Sequence, residues 1–246
     1  MKIAFLGTPS FVQPVKEELS KHFTLVNSLN EADLGVVAAY GRILTKDELN
    51  TSKYGIINIH PSLLPKYRGS SPIQSAILAG DKTSGITIIK MDEKVDHGPI
   101  IYQEEMELSS SDNFETLSKK MFLRASEILP KIIDDFIQEK IRLVPQKHSM
   151  ATYCNQLSRK SGYFDIDNPP SPELFDRMIR AYFPWPGVWT RWSFDWFGYA
   201  HHKFAQDKKD KIVKFYPNGK IQMEGKKVMP IQDFLNGYPD FPLKAF

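Results

Sequence analysis

The sequence predicts an α/β fold: a Rossmann-like, mostly parallel sheet with flanking helices, followed by a small C-terminal β-rich, barrel-like domain. Short apolar runs such as 2–7 and 34–39 alternate with amphipathic segments, which is typical of β–α units around a parallel sheet. Beyond residue 188 the apolar runs are short, and Asn218-Gly219 is a strong hairpin signal, which favours antiparallel strands there.

The start of the chain predicts a strand, a turn and a helix. Lys2 to Gly7 has the composition of a buried strand, and the helix from Phe11 to Leu19 tolerates Pro14 only near its first turn. The turn lacks the further glycines of a dinucleotide-binding fingerprint and the Gly-Lys-Ser/Thr ending of a phosphate loop, so neither NAD nor FAD is predicted.

Caps and prolines delimit the later elements of the first domain. Thr45-Lys-Asp-Glu48 is a capping box, Pro72 suits a first helical position, Gly80 suits a helix end, and Pro130 predicts a kink. Predicted helices cover 45–53, 72–79 and 112–140, and predicted strands cover 23–26, 34–39, 56–60, 85–91 and 100–106.

We expect a first domain over 1–145, a linker over 146–160 and a second domain over 161–246. The second domain should contain a helix over 171–180, strands over 188–193 and 196–204, and a hairpin over 212–223. All four tryptophans lie in 185–196, where they are either the core of a small domain or a platform for stacking bases.

Composition limits the classes of protein to consider. The chain has 246 residues, of which 41% are hydrophobic and 25% are charged, as expected for a globular protein in the cytoplasm. No apolar run approaches the roughly 20 residues that span a membrane. The single cysteine, Cys154, excludes an internal disulfide, and without further ligands near His201-His202 we predict no metal. Residues 201–246 carry nine Lys against five acidic residues, a net +4 that is either a solvated surface or a weak footprint for RNA phosphates.

Two polar residues interrupt an otherwise apolar strand in the middle of the first domain. Asn58 and His60 lie two positions apart, so a strand directs both side chains to the same face, and Pro61 ends the strand directly after them. Each has an ordinary structural explanation, as a strand-end amide or a core imidazole. Together they suit stabilisation of an oxyanion, provided that a carboxylate supports the imidazole, and Asp96 is the best candidate for it.

The surrounding sequence shows a specific family resemblance. Asn58-Ile-His60-Pro-Ser-Leu-Leu-Pro65-x-Tyr-Arg68-Gly69, followed by Gly85-Ile-Thr87 and Asp96-x-Gly98, resembles the folate-dependent formyltransferases, and among them those that act on methionyl-tRNA. The resemblance covers about 40–102 and resumes around Pro184-Trp-Pro-Gly187. It implies a catalytic first domain, a substrate-binding second domain and 10-formyltetrahydrofolate as the formyl donor, with no metal.

The resemblance also implies roles for individual residues. Asn58, His60 and Asp96 would be catalytic, and His97 would be exposed. Phe11 would lie near the methionine side chain of the acceptor, or else pack on the sheet, while Arg68 would bind substrate near the site. The folate carrier would lie against Ser62, Leu63, Leu64 and Pro65, and its pterin ring near Tyr40, Gly41 and Ile43.

This sequence departs from the family in a segment that bears on the identity of the acceptor. Methionyl-tRNA formyltransferases carry a long segment with a basic loop between the second and third strands, whereas only residues 27–33 lie there in this chain. The expected partner is aminoacylated initiator tRNA, and the main alternative is an aminosugar nucleotide; hydrolysis of 10-formyltetrahydrofolate and an inactive RNA-binding remnant rank lower. Phosphate contacts would then come from a set of basic residues: Lys66, Arg68, Lys208, Lys209, Lys211, Lys214, Lys226 and Lys227.

Overall fold

The computed structural model describes residues 1–193 and 210–243. The chain divides into two compact units, Met1–Gln156 and Leu157–Phe246. The predicted strand over 196–204 lies outside the described residues, as do Trp196, His201, His202, Lys208 and Lys209.

The first unit is built on a six-stranded sheet with the strand order β2-β1-β3-β4-β6-β7. The pairings from β2 to β4 are parallel, and β6 and β7 continue the sheet antiparallel. Its strands are β1 Lys2–Leu6, β2 Thr24–Val26, β3 Leu34–Ala38, β4 Ile56–His60, β6 Thr83–Lys90 and β7 Ile100–Glu107. A separate short pair joins β5 Arg68–Gly69 to β8 Tyr153–Cys154 in parallel. The predicted mostly parallel sheet is confirmed.

Four α-helices accompany this sheet. They are α1 Gln13–His22, α2 Lys46–Leu49, α3 Pro72–Ala79 and α4 Phe114–Ile137. The side chain of Asn113 caps the 24-residue α4, and Pro130 lies inside this helix as the sequence predicted. Helix α3 has the predicted bounds because Pro72 starts it and Gly80, at φ 72°, ends it in the left-handed conformation.

Two predicted helices differ in extent from the observed ones. The capping box of Thr45 and Glu48 forms, but α2 stops at Leu49 instead of continuing to Lys53. The helix predicted from Phe11 is a 3-10 turn over Ser10–Val12 that leads into α1, in which Pro14 occupies the first turn. Helix α2 begins at its cap as predicted, since a cap marks where a helix begins more clearly than where it ends. Helix α1 has no side-chain cap and begins two residues later than predicted, at Gln13.

The central strands position the site. Every residue of β3 and β4 is buried, so both faces of the sheet are covered here. Asn58 and His60 are therefore polar residues within a strand whose other members, Ile56, Ile57 and Ile59, belong to the core. A buried polar pair in such a strand needs hydrogen-bond partners, which the loops beyond β4 and β6 supply.

In its described residues, the second unit has a four-stranded antiparallel sheet, ordered β12-β11-β10-β9, and two helices. Asn218 and Gly219 both have φ 62° in the turn between β10 and β11, as the Asn-Gly signal predicts. Trp192, 8% exposed, packs edge-on against Phe241, whereas Trp185 is 55% exposed. The elements are α5 Pro172–Tyr182, β9 Val188–Ser193, β10 Asp210–Tyr216, β11 Lys220–Met223, β12 Met229–Pro230 and α6 Ile231–Gly237.

The segment expected to be a linker, residues 146–160, is not simply extended. Residues 146–156 belong to the first unit: Gln146 is 5% exposed, and strand β8 pairs with β5. The sequence suggested a linker because this segment has few apolar residues. In the structure, polar contacts hold the segment in place instead of apolar packing. No helix in the described part of the chain is long and apolar enough to cross a membrane.

Candidate active site

Asn58, His60 and Asp96 meet at one point. The Asn58 amide donates to Asp96 Oδ1 at 3.2 Å, and His60 Nδ1 lies 3.5 Å from the same oxygen. Asn58 and His60 project from β4, while Asp96 reaches them from the loop after β6, with its backbone at φ 47°. The strand spacing thus brings the two predicted residues to one face, and the loop adds the predicted carboxylate.

Backbone groups fix the orientation of this trio. His60 Nε2 lies 2.9 Å from the Tyr67 carbonyl, which accepts a hydrogen bond from the protonated nitrogen. The second carboxylate oxygen of Asp96 accepts the Gly69 N–H at 2.8 Å. The other ring nitrogen, Nδ1, faces Asp96. Because the proton is on Nε2, Nδ1 carries no hydrogen in the neutral ring and becomes a second donor only when the ring is protonated. His60 is 4% exposed, so a charged ring depends on Asp96 for compensation.

The loop 62–65 lies beside the trio, and side chains of β6 and β7 hold it with hydrogen bonds. Its Leu64 N–H donates to the Thr87 hydroxyl at 3.1 Å, and that hydroxyl donates to the Ser62 carbonyl at 2.6 Å. Gln103 adds a hydrogen bond to the Leu64 carbonyl at 2.9 Å. Ser62 and Leu64 are buried, whereas Leu63 and Pro65 are half-buried and keep surface available for a ligand.

The segment 40–44 presents both packed and open groups. Tyr40 packs on the apolar cluster that includes Leu44 and Leu49, and its carbonyl accepts the Thr8 hydroxyl at 3.4 Å. Gly41 has φ 77°, a conformation that favours glycine. Ile43 is 75% exposed, so this turn offers an apolar side chain beside open backbone, as the proposed pterin contact requires.

Phe11 is packed inside the first unit. Its ring lies 5.8 Å from that of Phe114, edge-on, and 5.3 Å from that of Phe122, both on α4. These contacts agree with the packing interpretation of Phe11. Its expected role beside the acceptor methionine stays a prediction.

Arg68 is not placed to bind substrate phosphates, contrary to the expectation from the sequence. Its side chain is 1% exposed, and the guanidinium donates to Gln146 Oε1 at 3.2 Å and 2.5 Å. It also lies 2.9 Å from His148 Nδ1 and 3.4 Å from the Tyr153 hydroxyl. A motif with no burial information could not distinguish this buried arginine from a surface one.

His97 also differs from its prediction as an exposed residue. Its ring stacks on that of His148 at a centroid distance of 3.9 Å, and its Nδ1 pairs with Asp92 at 2.6 Å. The pKa of His148 is lowered, first by desolvation of its ring and then by the positive charges of His97 and Arg68. The histidine pair therefore joins the Asp96 loop to the segment after Pro145.

A family model described as formyl transferase matches residues 11–133, half of the chain, and this range contains all three residues of the trio. The chain belongs to this formyltransferase family. Among the described residues no group of three His, Cys, Asp or Glu side chains could hold a metal ion.

Curated relatives of this chain are named methionyl-tRNA formyltransferase. The protein from Roseiflexus sp. (strain RS-1) is 42% identical over 65% of this chain and 49% of its own length. The protein from Thermodesulfovibrio yellowstonii is 34% identical over 96% of this chain and 80% of its own length. The chain spans about half the length of the first of these.

Solved structures share the fold. The methionyl-tRNA formyltransferase from Clostridium thermocellum has a TM-score of 0.63 at 19% identity, covering 93% of this chain and 98% of that one. A sugar N-formyltransferase from Shewanella sp. FDAARGOS_354 has a TM-score of 0.63 at 18% identity, covering 77% of this chain and 92% of that one. A 4-N formyltransferase from Francisella tularensis has a TM-score of 0.62 at 22% identity, covering 77% of this chain and 91% of that one. At these identities the likeness concerns the fold alone.

Sequence reasoning missed the residues that hold this candidate site in place. Thr87 belongs to the quoted motif but was assigned no role, and Gln103 and Gln146 lie outside any motif. For Thr87, a signal was available in the sequence: a hydroxyl inside a β-branched strand is expected to need a partner. For Gln146 there was none, because its partners are 48 to 78 residues away.

Proposed function

We propose that this protein transfers a formyl group from 10-formyltetrahydrofolate to a primary amine, with methionyl-tRNA as the leading acceptor. The observation that carries the proposal is that Asn58 and His60 both face one carboxylate oxygen of Asp96, Oδ1. Such an arrangement offers an amide donor, an imidazole and a carboxylate to a tetrahedral intermediate.

In the proposed reaction the unprotonated amine nitrogen attacks the formyl carbon, and the carbonyl oxygen becomes an oxyanion. Asn58 stabilises this charge with the amide hydrogen that Asp96 does not occupy, and protonated His60 contributes through Nδ1. The attacking nitrogen then loses a proton to the Asp96 carboxylate, directly or through water. The oxyanion then collapses to the carbonyl, the bond between the formyl carbon and the donor nitrogen breaks, and that nitrogen takes up the proton that Asp96 received, which balances the transfer and restores the carboxylate.

The donor would lie along loop 62–65 and the segment 40–44. Leu63, Pro65 and Ile43 provide apolar surface, and the open backbone near Gly41 provides polar groups for a flat heterocycle. Contacts from Ser62 and Leu64 would be indirect, since these residues hold the loop instead of facing solvent.

The family name of the curated relatives and the Pro184-Trp-Pro-Gly187 segment favour methionyl-tRNA as the acceptor. Phosphate contacts would come from the second unit, where Lys214, Lys226 and Lys227 are exposed. Lys66 contributes less than expected, because its ammonium pairs with Asp81 at 2.7 Å, and Arg68 is buried.

A second candidate acceptor is an aminosugar nucleotide. The observation in its favour is the short connection between β2 and β3, residues 27–33, which holds only a 3-10 turn over Leu29–Glu31. A nucleotide diphosphate needs far fewer cationic contacts than a tRNA stem does.

The test offers 10-formyltetrahydrofolate with charged initiator tRNA in one reaction and with aminosugar nucleotides in another. Release of tetrahydrofolate is followed at two salt concentrations. Transfer to methionyl-tRNA should weaken steeply with salt, because each neutralised phosphate releases condensed counterion. Transfer to a sugar amine alone, even at low salt, would replace the leading acceptor with the second one.

A further inference from the structure

The buried Arg68 makes hydrogen bonds to neutral groups of one short segment. Gln146 accepts from Nε and Nη2, His148 Nδ1 also faces Nη2, and the Tyr153 hydroxyl faces Nη1. Burying a guanidinium among neutral partners is costly, and burial at 1% exposure also removes it from any substrate. The buried charge of Arg68 therefore indicates a structural role within the protein.

Gln146 connects Arg68 to the loop that carries the carboxylate of the trio. The amide nitrogen of Gln146 donates to the Asp96 carbonyl at 2.9 Å and to the Gly98 carbonyl at 2.8 Å. Its oxygen is held by Arg68, so the amide cannot turn over without losing bonds on both sides. Arg68 thus fixes which end of Gln146 faces the loop.

The loop that carries Asp96 has a conformation that needs stabilising contacts from another part of the chain. Asp96 has φ 47°, which is unfavourable for a residue with a side chain. A Cβ on Gly98 would lie 1.8 Å from the Lys90 carbonyl, so the loop passes very close to the end of β6. Two hydrogen bonds from one buried amide hold the carbonyl of the strained residue, Asp96, and the carbonyl of Gly98 two residues later, so they stabilise the loop where its conformation is least favourable.

We infer that Arg68 and Gln146 are positioning residues that hold the Asp96 loop in the conformation in which its carboxylate meets Asn58 and His60. The inference rests on the proposed formyl transfer for its catalytic consequence, while the holding of the loop is independent of it. Neither residue contacts substrate in this account.

The decisive variant is Gln146→Glu. A glutamate can still accept from Arg68, and more strongly, so the fold should persist; it cannot donate to the Asp96 and Gly98 carbonyls. We expect kcat to fall about a hundredfold, the scale of a small misplacement of a catalytic group, while KM for the formyl donor changes much less. Amide hydrogen exchange over 92–99 should accelerate while the Tm stays near that of the wild type.

Two further variants complete the test. Gln156→Glu makes the same change of charge at an exposed position of the same segment and should leave kcat and exchange unchanged. Arg68→Lys keeps the charge but loses the fork that holds Gln146, and should reproduce both effects to a smaller extent.

Each outcome decides the inference. Wild-type kcat in Gln146→Glu would overturn it, as would unaltered exchange over 92–99 in both Gln146→Glu and Arg68→Lys. If the wild-type protein formylated no acceptor, the proposed function would fail separately. Exchange would then still show whether these two residues hold the loop.

Discussion

At the scale of single residues, Asp96 connects the two polar residues of β4 to the loops around them. One of its oxygens faces Asn58 and His60, the other accepts the Gly69 N–H, and its carbonyl accepts from Gln146. Loss of the carboxylate therefore removes the support of His60 and leaves two donors without a partner. The sequence predicted the trio itself, because strand alternation and the family motif determine it.

We predict that Asn58→Ala, His60→Ala and Asp96→Ala each lower kcat by about a hundredfold or more, the usual effect of losing an oxyanion donor or an acid–base group. Binding of the folate carrier should be affected less, since its contacts lie on the adjoining loop. Steady-state kinetics and equilibrium binding of a folate analogue measure the two effects. His22→Ala, at an exposed residue of α1, is the matched control and should behave as the wild type does.

Thr87→Val tests the support of loop 62–65. The buried hydroxyl serves Leu64, Ser62 and Gln103, so its removal should lower the free energy of unfolding by about 1–3 kcal/mol. It should also raise KM for the formyl donor. Thr190→Val removes another fully buried hydroxyl, in the second unit, and should destabilise without changing KM. An unchanged KM in Thr87→Val would contradict the role of the loop.

At the scale of elements, the segment 146–156 is the part of the fold that the sequence could not predict. Strands β4 and β9 and helix α3 were predicted with their observed bounds, because proline, glycine and β-branched residues specify them locally. The segment 146–156 is polar and irregular, and its partners lie in distant parts of the chain. Local patterns carry no information about such contacts, which is also why Arg68 was assigned to the surface.

The lowered pKa of His148, which results first from desolvation of its ring and then from the positive charges of His97 and Arg68, predicts a pH dependence for this segment. Because the folded state lowers the pKa of His148, the unfolded chain binds a proton more readily. The stabilisation should be complete above about pH 6.5, the ordinary value for histidine, and should be lost as pH falls below it. Lys94 and Asp92 also act on the ring, the first lowering and the second raising its pKa.

Denaturant unfolding between pH 5 and pH 8 measures this dependence. His148→Gln cannot titrate but can still accept from Arg68, so it should flatten the curve over that range. His22→Gln changes a histidine that pairs with Glu18 on the surface and serves as the control. An identical slope for the wild type and His148→Gln would exclude His148 as the source.

At the scale of the whole molecule, the two units divide the proposed work. The first contains the trio and the loop for the formyl donor, and the second contributes exposed lysines from β10 and from the turn between β11 and β12. Replacing Lys214, Lys226 and Lys227 with Gln should weaken binding of methionyl-tRNA and reduce the slope of log K against log salt by roughly 2 to 3. Turnover of a small amine acceptor should not change. Filter binding at several salt concentrations measures the slope, and an unaltered slope would exclude these lysines.

The central claim is that the trio catalyses transfer of a formyl group to an amine. The most direct measurement is the time course of tetrahydrofolate release from 10-formyltetrahydrofolate, with and without charged initiator tRNA, for the wild type and His60→Ala. The account predicts release that requires the acceptor, that matches formylated methionine on the tRNA mole for mole, and that falls about a hundredfold in His60→Ala. Release at the same rate without any amine, or unchanged transfer by His60→Ala, would contradict it.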